Sequence, residues 1–339
     1  MPLPSGAVGG YPGGTGVAIG SQQVPPAPAS YSGTFIPEIW SGKLIEKFYD
    51  ATVMAAIANT DYEGEIKNQG DTIHIRQRPD IVIEDYTPDT ELEVHRPNAP
   101  TVDLTIDYAK YFNAIADDVY AIQSDMDLLG MWAEDASESM KVTIDRELLT
   151  TVVLGGAKAV TNRGLVAGRI SGSIDLGVTG TPVLVVKSGG NATNTDIVDL
   201  IVDMGTVLDE QNIPETGRWL IIPAWLAGLI KKSDLKDASL TGDSTSIVRN
   251  GRLGMIDRFT LYMSNLLPAG VAGGLAAGET AIFAGHSMAV TFASQLTKME
   301  TMKSERTFGE LIRGLQVYGC DVIKSEGLAE AIVKKAPAA

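Results

Sequence analysis

The sequence predicts an α+β protein with a mixed sheet, and three observations carry that expectation. Apolar residues alternate in short strand-like runs after an uncharged start. One stripe of helical period then runs far beyond an ordinary helix. The second half interleaves short apolar strands with helices, without a regular βαβ series. With 339 residues, 44% of them hydrophobic, the chain is too apolar for disorder and long enough for two or three compact units.

Residues 1–37 carry no charge and no histidine, and 15 of those 37 positions are Gly or Pro. Such a segment builds neither helix nor core by itself, so it reads as an extended arm or as a disordered tail. Tyr11, Val17, Ile19, Val24, Tyr31 and Phe35 would give an arm apolar points of attachment. From Ile36 to about Thr60 the pattern turns helical, with Ile39, Trp40, Leu44, Ile45 and Phe48 on one face. The period then becomes two. Thr72–Arg76, Ile81–Ile83 and the series Val102, Leu104, Ile106, Tyr108 all read as strands. Between them lies a polar stretch with Glu84, Asp85, Asp89, Glu91, Glu93, His95 and Arg96. Strands flanking so polar an excursion describe a β-ribbon that projects from the body. Contact with another subunit explains such a ribbon; a solvent loop is the plainer alternative.

The long stripe follows: Ile115, Val119, Ile122, Met126, Leu129, Ala133, Ala136, Met140, Ile144, Leu148 and Val152. Gly130 is a candidate break, with Asp125 or Asp127 capping the second part. From that break to about Leu154 the helix would span ~45 Å, a spine for the fold. After Gly155-Gly156 the expected elements are a strand over Thr181–Val186, an amphipathic helix over Asp196–Asp209 and a strand over Arg218–Ile222 ended by Pro223. A short helix over Ala224–Lys232 and a polar loop over Leu240–Ser246 come next. Strands are expected over Phe259–Ser264, Thr280–Ala284, Met288–Ala293 and Leu315–Ile323.

Charge and motifs remove several function classes. The net charge is -15, from 42 acidic and 27 basic residues, with no basic cluster beyond pairs such as Lys231-Lys232 and Lys334-Lys335. Tight wrapping by nucleic acid is therefore disfavoured, while an acidic wall suits a container through which DNA must move. Cys320 is the lone cysteine, expected as a small buried hydrophobe in a reduced setting. No apolar run is long enough to span a membrane and no secretory signal is seen, which predicts a protein that stays in the cytoplasm where it is made.

Ala284-Gly285-His286-Ser287-Met288-Ala289 imitates a nucleophile elbow, but no histidine follows Ser287 to act as base, and a strand follows in place of a helix. The Asp125–Gly130 stretch imitates a calcium loop but has Leu129 and Ala136 where oxygen ligands belong. Gly14-Thr15-Gly16 with Gly20 lacks dinucleotide spacing, and Gly155-Gly156-Ala157-Lys158 lacks the remaining P-loop positions. His74, His95 and His286 are far apart in sequence, and Asp117-Asp118 are adjacent and read as solvated surface. No catalytic, cofactor-binding or metal-ligating set is expected.

Two segments add a resemblance. Ile213-Pro214-Glu215-Thr216-Gly217-Arg218-Trp219-Leu220-Ile221-Ile222-Pro223 places an Arg before an apolar strand that closes on Pro. Arg249–Pro268 runs through Gly251, Gly254 and an apolar strand to Ser264-Asn265-Leu266-Leu267-Pro268. With the order arm, helix, ribbon, spine and mixed domain, the chain resembles the HK97-like major capsid proteins of tailed bacteriophages over about 31–333. The resemblance implies an N-terminal arm (1–37), a helical segment (38–63), an E-loop (64–108), a P-domain (109–159 and 311–339) and an A-domain (160–310). It implies a structural subunit and not an enzyme: copies form pentamers and hexamers of an icosahedral head around double-stranded DNA, without specific DNA binding. A separate scaffolding protein, a portal and a decoration protein are the expected partners, with assembly in the host cytoplasm and residence in the virion. Some members of that family crosslink Lys to Asn; Lys67 and Lys110 lie near the ribbon, but nothing marks them as reactive. The rivals are an encapsulin-like nanocompartment shell, against which the Gly/Pro arm argues, a tail or decoration protein, and a serine hydrolase.

Overall fold

A computed structural model of the chain describes residues 52–62, 72–79, 81–88, 94–118, 128–156, 159–191, 193–233, 254–305 and 307–337. The expectations for the arm, for the helical face from Ile39 to Phe48, for Lys67, for Asp125 and Asp127, and for the loop at 240–246 fall outside those residues.

The described chain opens with a single helical turn, α1 (Met54–Ile57), whose Met54 and Ile57 are buried. Strands β1 (Thr72–Arg76) and β2 (Thr101–Thr105) pair antiparallel from Thr72 opposite Thr105 to Arg76 opposite Thr101. Here period-two alternation was legible directly. Ile75 and Leu104, on the inward face, pack with Ala293 to fix the base of this ribbon. The predicted strand at Ile81–Ile83 does not form: these residues are exposed and outside every ladder among the described residues.

Strand β3 (Tyr108–Asp117) corrects a second expectation, since Ile115 belongs to this strand and not to the helical stripe. Its alternation of exposed and half-buried positions is that of a sheet with one face covered. The spine, α2 (Leu128–Glu147), has 20 residues and spans about 30 Å. It runs through Gly130 without a break and passes directly into a six-residue π segment, Leu148–Val153, where the Leu154 N–H donates to the Leu149 carbonyl. Ile144, Leu148 and Val152 from the predicted stripe are buried, as the period required.

Most of the remaining elements fall where the sequence placed them, and the strands Asn194–Asp196, Met255–Ile256 and Leu328–Lys335 come in addition. In chain order the remaining elements are β4 (Val183–Val186), β5 (Asn194–Asp196), α3 (Ile197–Glu210), β6 (Arg218–Ile222), α4 (Ala224–Ile230), β7 (Met255–Ile256), β8 (Phe259–Met263), β9 (Glu279–His286), β10 (Val290–Lys303), β11 (Gly309–Val322) and β12 (Leu328–Lys335). Strands β10 and β11 are much longer than their apolar runs suggested. Their distal halves carry exposed or half-exposed residues that sequence patterning does not separate from loop.

Two larger sheets result: a mixed seven-stranded sheet in the order β5-β4-β12-β9-β6-β8-β7, and a three-stranded antiparallel sheet in the order β10-β11-β3. Buried strands β6, β9 and β12 lie at the centre of the larger sheet, and α3 buries Leu200, Ile201, Met204 and Leu208 in the same core. The sheets cut across the expected boundary at 310/311. Strand β12 joins the larger sheet, and β10 pairs with β11 instead of with its predecessors.

Candidate assembly surfaces

Past Arg76 the Gln77 N–H donates to the Pro100 carbonyl at 2.9 Å, and among the described residues no ladder continues beyond that point. Two His–carboxylate pairs hold the excursion: His74 Nδ1 lies 2.5 Å from Asp103, and His95 Nε2 lies 2.8 Å from Glu84. Along this stretch Ile81, Val82, Ile83, Tyr86 and Val94 are all exposed, Ile83 at 94%. An apolar series of that kind on a projecting element marks a contact surface.

A polar and aromatic node ties the spine to the three-stranded sheet. Lys110 of β3 sits 2.6 Å from Glu147 of α2, and the Tyr318 hydroxyl of β11 donates to the same carboxylate at 3.1 Å. Tyr318 is itself buried and stacks between Tyr108 and Phe292, at centroid distances of 5.6 and 5.7 Å. Burial and the neighbouring carboxylate push its phenol above the ordinary range. The opposite face of this sheet is open. It presents Tyr111, Ile115, Leu315 and Met302 around an ion cluster in which Glu300 meets both Lys298 and Arg313.

A second cluster holds the turn between α3 and β6. Arg218 is buried, donates to the Pro214 and Ile213 carbonyls at 2.8 and 2.6 Å, and pairs with Asp209 at 2.7 Å. Arg258, in the left-handed turn Asp257-Arg258 between β7 and β8, reaches the other Asp209 oxygen at 2.7 Å and Glu215 at 3.0 Å. Burial raises the Asp209 carboxyl, but the two guanidinium groups outweigh it and hold the pKa below its ordinary value. Gly205 on α3 allows this approach, because a Cβ there would lie 2.2 Å from the Asp257 carboxylate.

The residues weighed for chemistry are not brought together. His286 Nδ1 accepts a hydrogen bond from the Met288 N–H at 3.2 Å, and burial lowers its pKa. The Ser287 N–H donates to the Gly217 carbonyl, so the pair forms a turn and not an elbow poised above a helix. His74 and His95 belong to the ribbon, and Asp117 ends β3. Cys320 is buried and its thiol is pushed up to about 12, as expected of a packed hydrophobe. Lys110 is engaged with Glu147. Among the described residues no group of His, Cys, Asp and Glu could hold a metal ion, and no helix is long and apolar enough to cross a membrane. The polar excursion already marks the ribbon as a contact element, whereas the open sheet face carries no motif and was missed by residue-type reasoning.

Comparison with known proteins points the same way. Residues 98–332 match the model of the phage capsid protein family. A solved structure from Mycobacterium phage Che8 is 22% identical, with a TM-score of 0.69 over 90% of this chain and 98% of that one. The capsid structure of Cyanophage P-SCSP1u, at 14% identity, gives 0.65 over 90% and 94%. The capsid of a native GTA particle, at 15% identity, gives 0.63 over 91% and 98%. A search of curated proteins finds no match. At these identities the structures establish the fold, which is the HK97-like capsid fold.

Proposed function

Because this chain belongs to the phage capsid protein family, we propose that its ribbon and open sheet face are the surfaces through which copies lock into the head. The chain is a major capsid protein, a structural component of the virion and not an enzyme; its copies assemble into a multi-subunit shell. The nanocompartment, tail-protein and hydrolase readings are not favoured by that family membership.

The observation that carries the proposal is the ribbon: its base is packed on Ala293, while Ile81, Val82, Ile83 and Tyr86 are exposed. Burying one such side chain is worth about 1.5–3 kcal/mol, so a neighbour that covers several gains enough to close a shell from many weak contacts. In this reading 64–108 is the E-loop and 1–37 an arm laid over neighbours. The spine with the three-stranded sheet forms the P-domain, and the seven-stranded sheet, now including β12, forms the A-domain. Pentamers and hexamers would close an icosahedral head in the host cytoplasm, guided by a separate scaffolding protein and a portal and open to a decoration protein. The charge of -15 suits a wall around double-stranded DNA that does not bind it specifically.

Removing 84–98 tests the central point. The variant is expected to fold with an unchanged melting transition and to sediment as small species, with no closed shells by negative-stain electron microscopy. Normal shells from that deletion would remove the ribbon from the interface.

A further inference from the structure

The run Ile81-Val82-Ile83 is built of three β-branched residues, yet it has no ladder partner among the described residues. Ile81 is 72% and Ile83 94% exposed. β-Branched side chains favour strands because they pack against cross-strand neighbours, and an isolated extended segment gives them none. This segment has the composition of a strand and lacks only an edge to join.

The edges the molecule offers differ sharply in how they are protected. The seven-stranded sheet ends in β5 and β7, of three and two residues, too short to template another strand. In the smaller sheet, β10 begins under cover: the Asn59 N–H donates to the Val290 carbonyl and the Phe292 N–H to the Asn59 carbonyl. A bulge at Ser294/Leu296 and the lysines Lys298 and Lys303 then blunt the rest of β10. Strand β3 has one lysine, Lys110, tied to Glu147, but no proline, no register shift against β11, and no second ladder among the described residues. Its outward side chains include Tyr111, 80% exposed, and Ile115.

We infer that Ile81–Glu84 of one copy adds to the free edge of β3 in a neighbouring copy as an antiparallel strand. The inference rests on the reading that the ribbon reaches a neighbour, and it names what the ribbon meets there. A second copy is the occupant because the shell is made of copies and the two segments are complementary. The register that sets Ile83 opposite Tyr111 also sets Ile81 opposite Asn113 and Glu84 opposite Lys110. It carries Arg78 toward the Asp117 end of β3. Opposed residues share a face, so Ile81 and Ile83 fall on the open side of the sheet, where Tyr111, Asn113, Lys298, Arg313 and Leu315 line a groove of about 390 Å³. Val82 falls on the side of Phe112, and Glu84 joins Glu147 around the Lys110 ammonium. Main-chain bonds supply the affinity, and the alternating side chains set the register.

Backbone amide exchange, compared between assembled shells and unassembled subunits, tests this. Assembly is expected to slow the amides of Ile81 and Ile83 and alternate amides of 109–115 by on the order of 100-fold. Slowing in the ribbon with β3 unchanged would overturn the pairing while leaving the ribbon at an interface. Closed shells with neither segment slowed would overturn both readings. As an independent arm, Ile83→Pro removes the backbone donor that this register turns toward Tyr111 and should abolish closed shells, whereas Ile83→Val should keep them. Normal shells from Ile83→Pro would sink the pairing.

Discussion

Arg218 shows how a single buried charge is made tolerable. Its side chain is fully buried, and two backbone carbonyls and the Asp209 carboxylate surround it. Removing a partner from a buried charge costs more than the pair contributes, because the remaining group keeps its desolvation penalty. Asp209→Asn should therefore destabilise the fold by about 1–3 kcal/mol at neutral pH, less than a fully buried pair because Asp209 is partly open to solvent. The pH dependence has a definite sign. The Asp209 pKa is lowered on folding, so its contribution is present above the ordinary carboxylate range and is lost as pH falls through the folded value. Melting temperatures of the parent should drop toward those of Asp209→Asn as the pH is lowered below about 4. Parallel curves throughout would show that this carboxylate is not the coupled group.

At the scale of elements, the spine helix works as a post to which other segments are tied. Asp145, buried on α2, accepts the Val53 and Met54 N–H groups at 2.8 and 2.9 Å and so caps α1. Burial raises the Asp145 carboxyl, against the pull of those two N–H groups. The geometry pins 53–57 to the helix beside a mainly apolar cavity of about 330 Å³ lined by Met54, Ile144, Leu148 and Phe292. Asp145→Ala should cost about 1–3 kcal/mol by orphaning two donors, and limited proteolysis should open near 52–60 before the rest of the chain. On the other flank, Glu147 joins Lys110 and Tyr318 and so ties the helix to the three-stranded sheet. Strand β3 was misread at this scale. Ile115 fits the helical stripe, and only the ladder with β11, which sets Ile115 opposite Leu311, reveals its period of two.

At the scale of the molecule, the two main sheets divide the labour. The larger one has buried central strands and short edges, which suits a self-sufficient body. The smaller one keeps an open face and, among the described residues, a long edge without a further ladder, and the ribbon carries exposed apolar residues. Stability and assembly should separate accordingly. Ile83→Ser, at a side chain 94% exposed, should change folding stability by no more than about 0.5 kcal/mol. The same change should reduce the yield of closed shells, read by sedimentation and electron microscopy. A variant that assembles like the parent would show that Ile83 is not at an interface.

The sequence by itself determined the local elements with one clear period: the ribbon strands, the amphipathic α3, the buried β6 and the spine from Ala133 to Val152. In each, the spacing of apolar residues already says which face is buried. It also determined the container-like charge and, through the Arg218 and Ser264–Pro268 segments, the resemblance that the family match bears out. Only the tertiary structure decided where β12 pairs, how far β10 and β11 extend, and which edges stay open. Those outcomes depend on hydrogen bonds between residues distant in the chain, for which no local spacing codes. The same holds for Ile81–Ile83. Its side chains specify a strand, but among the described residues the fold brings no edge to meet it.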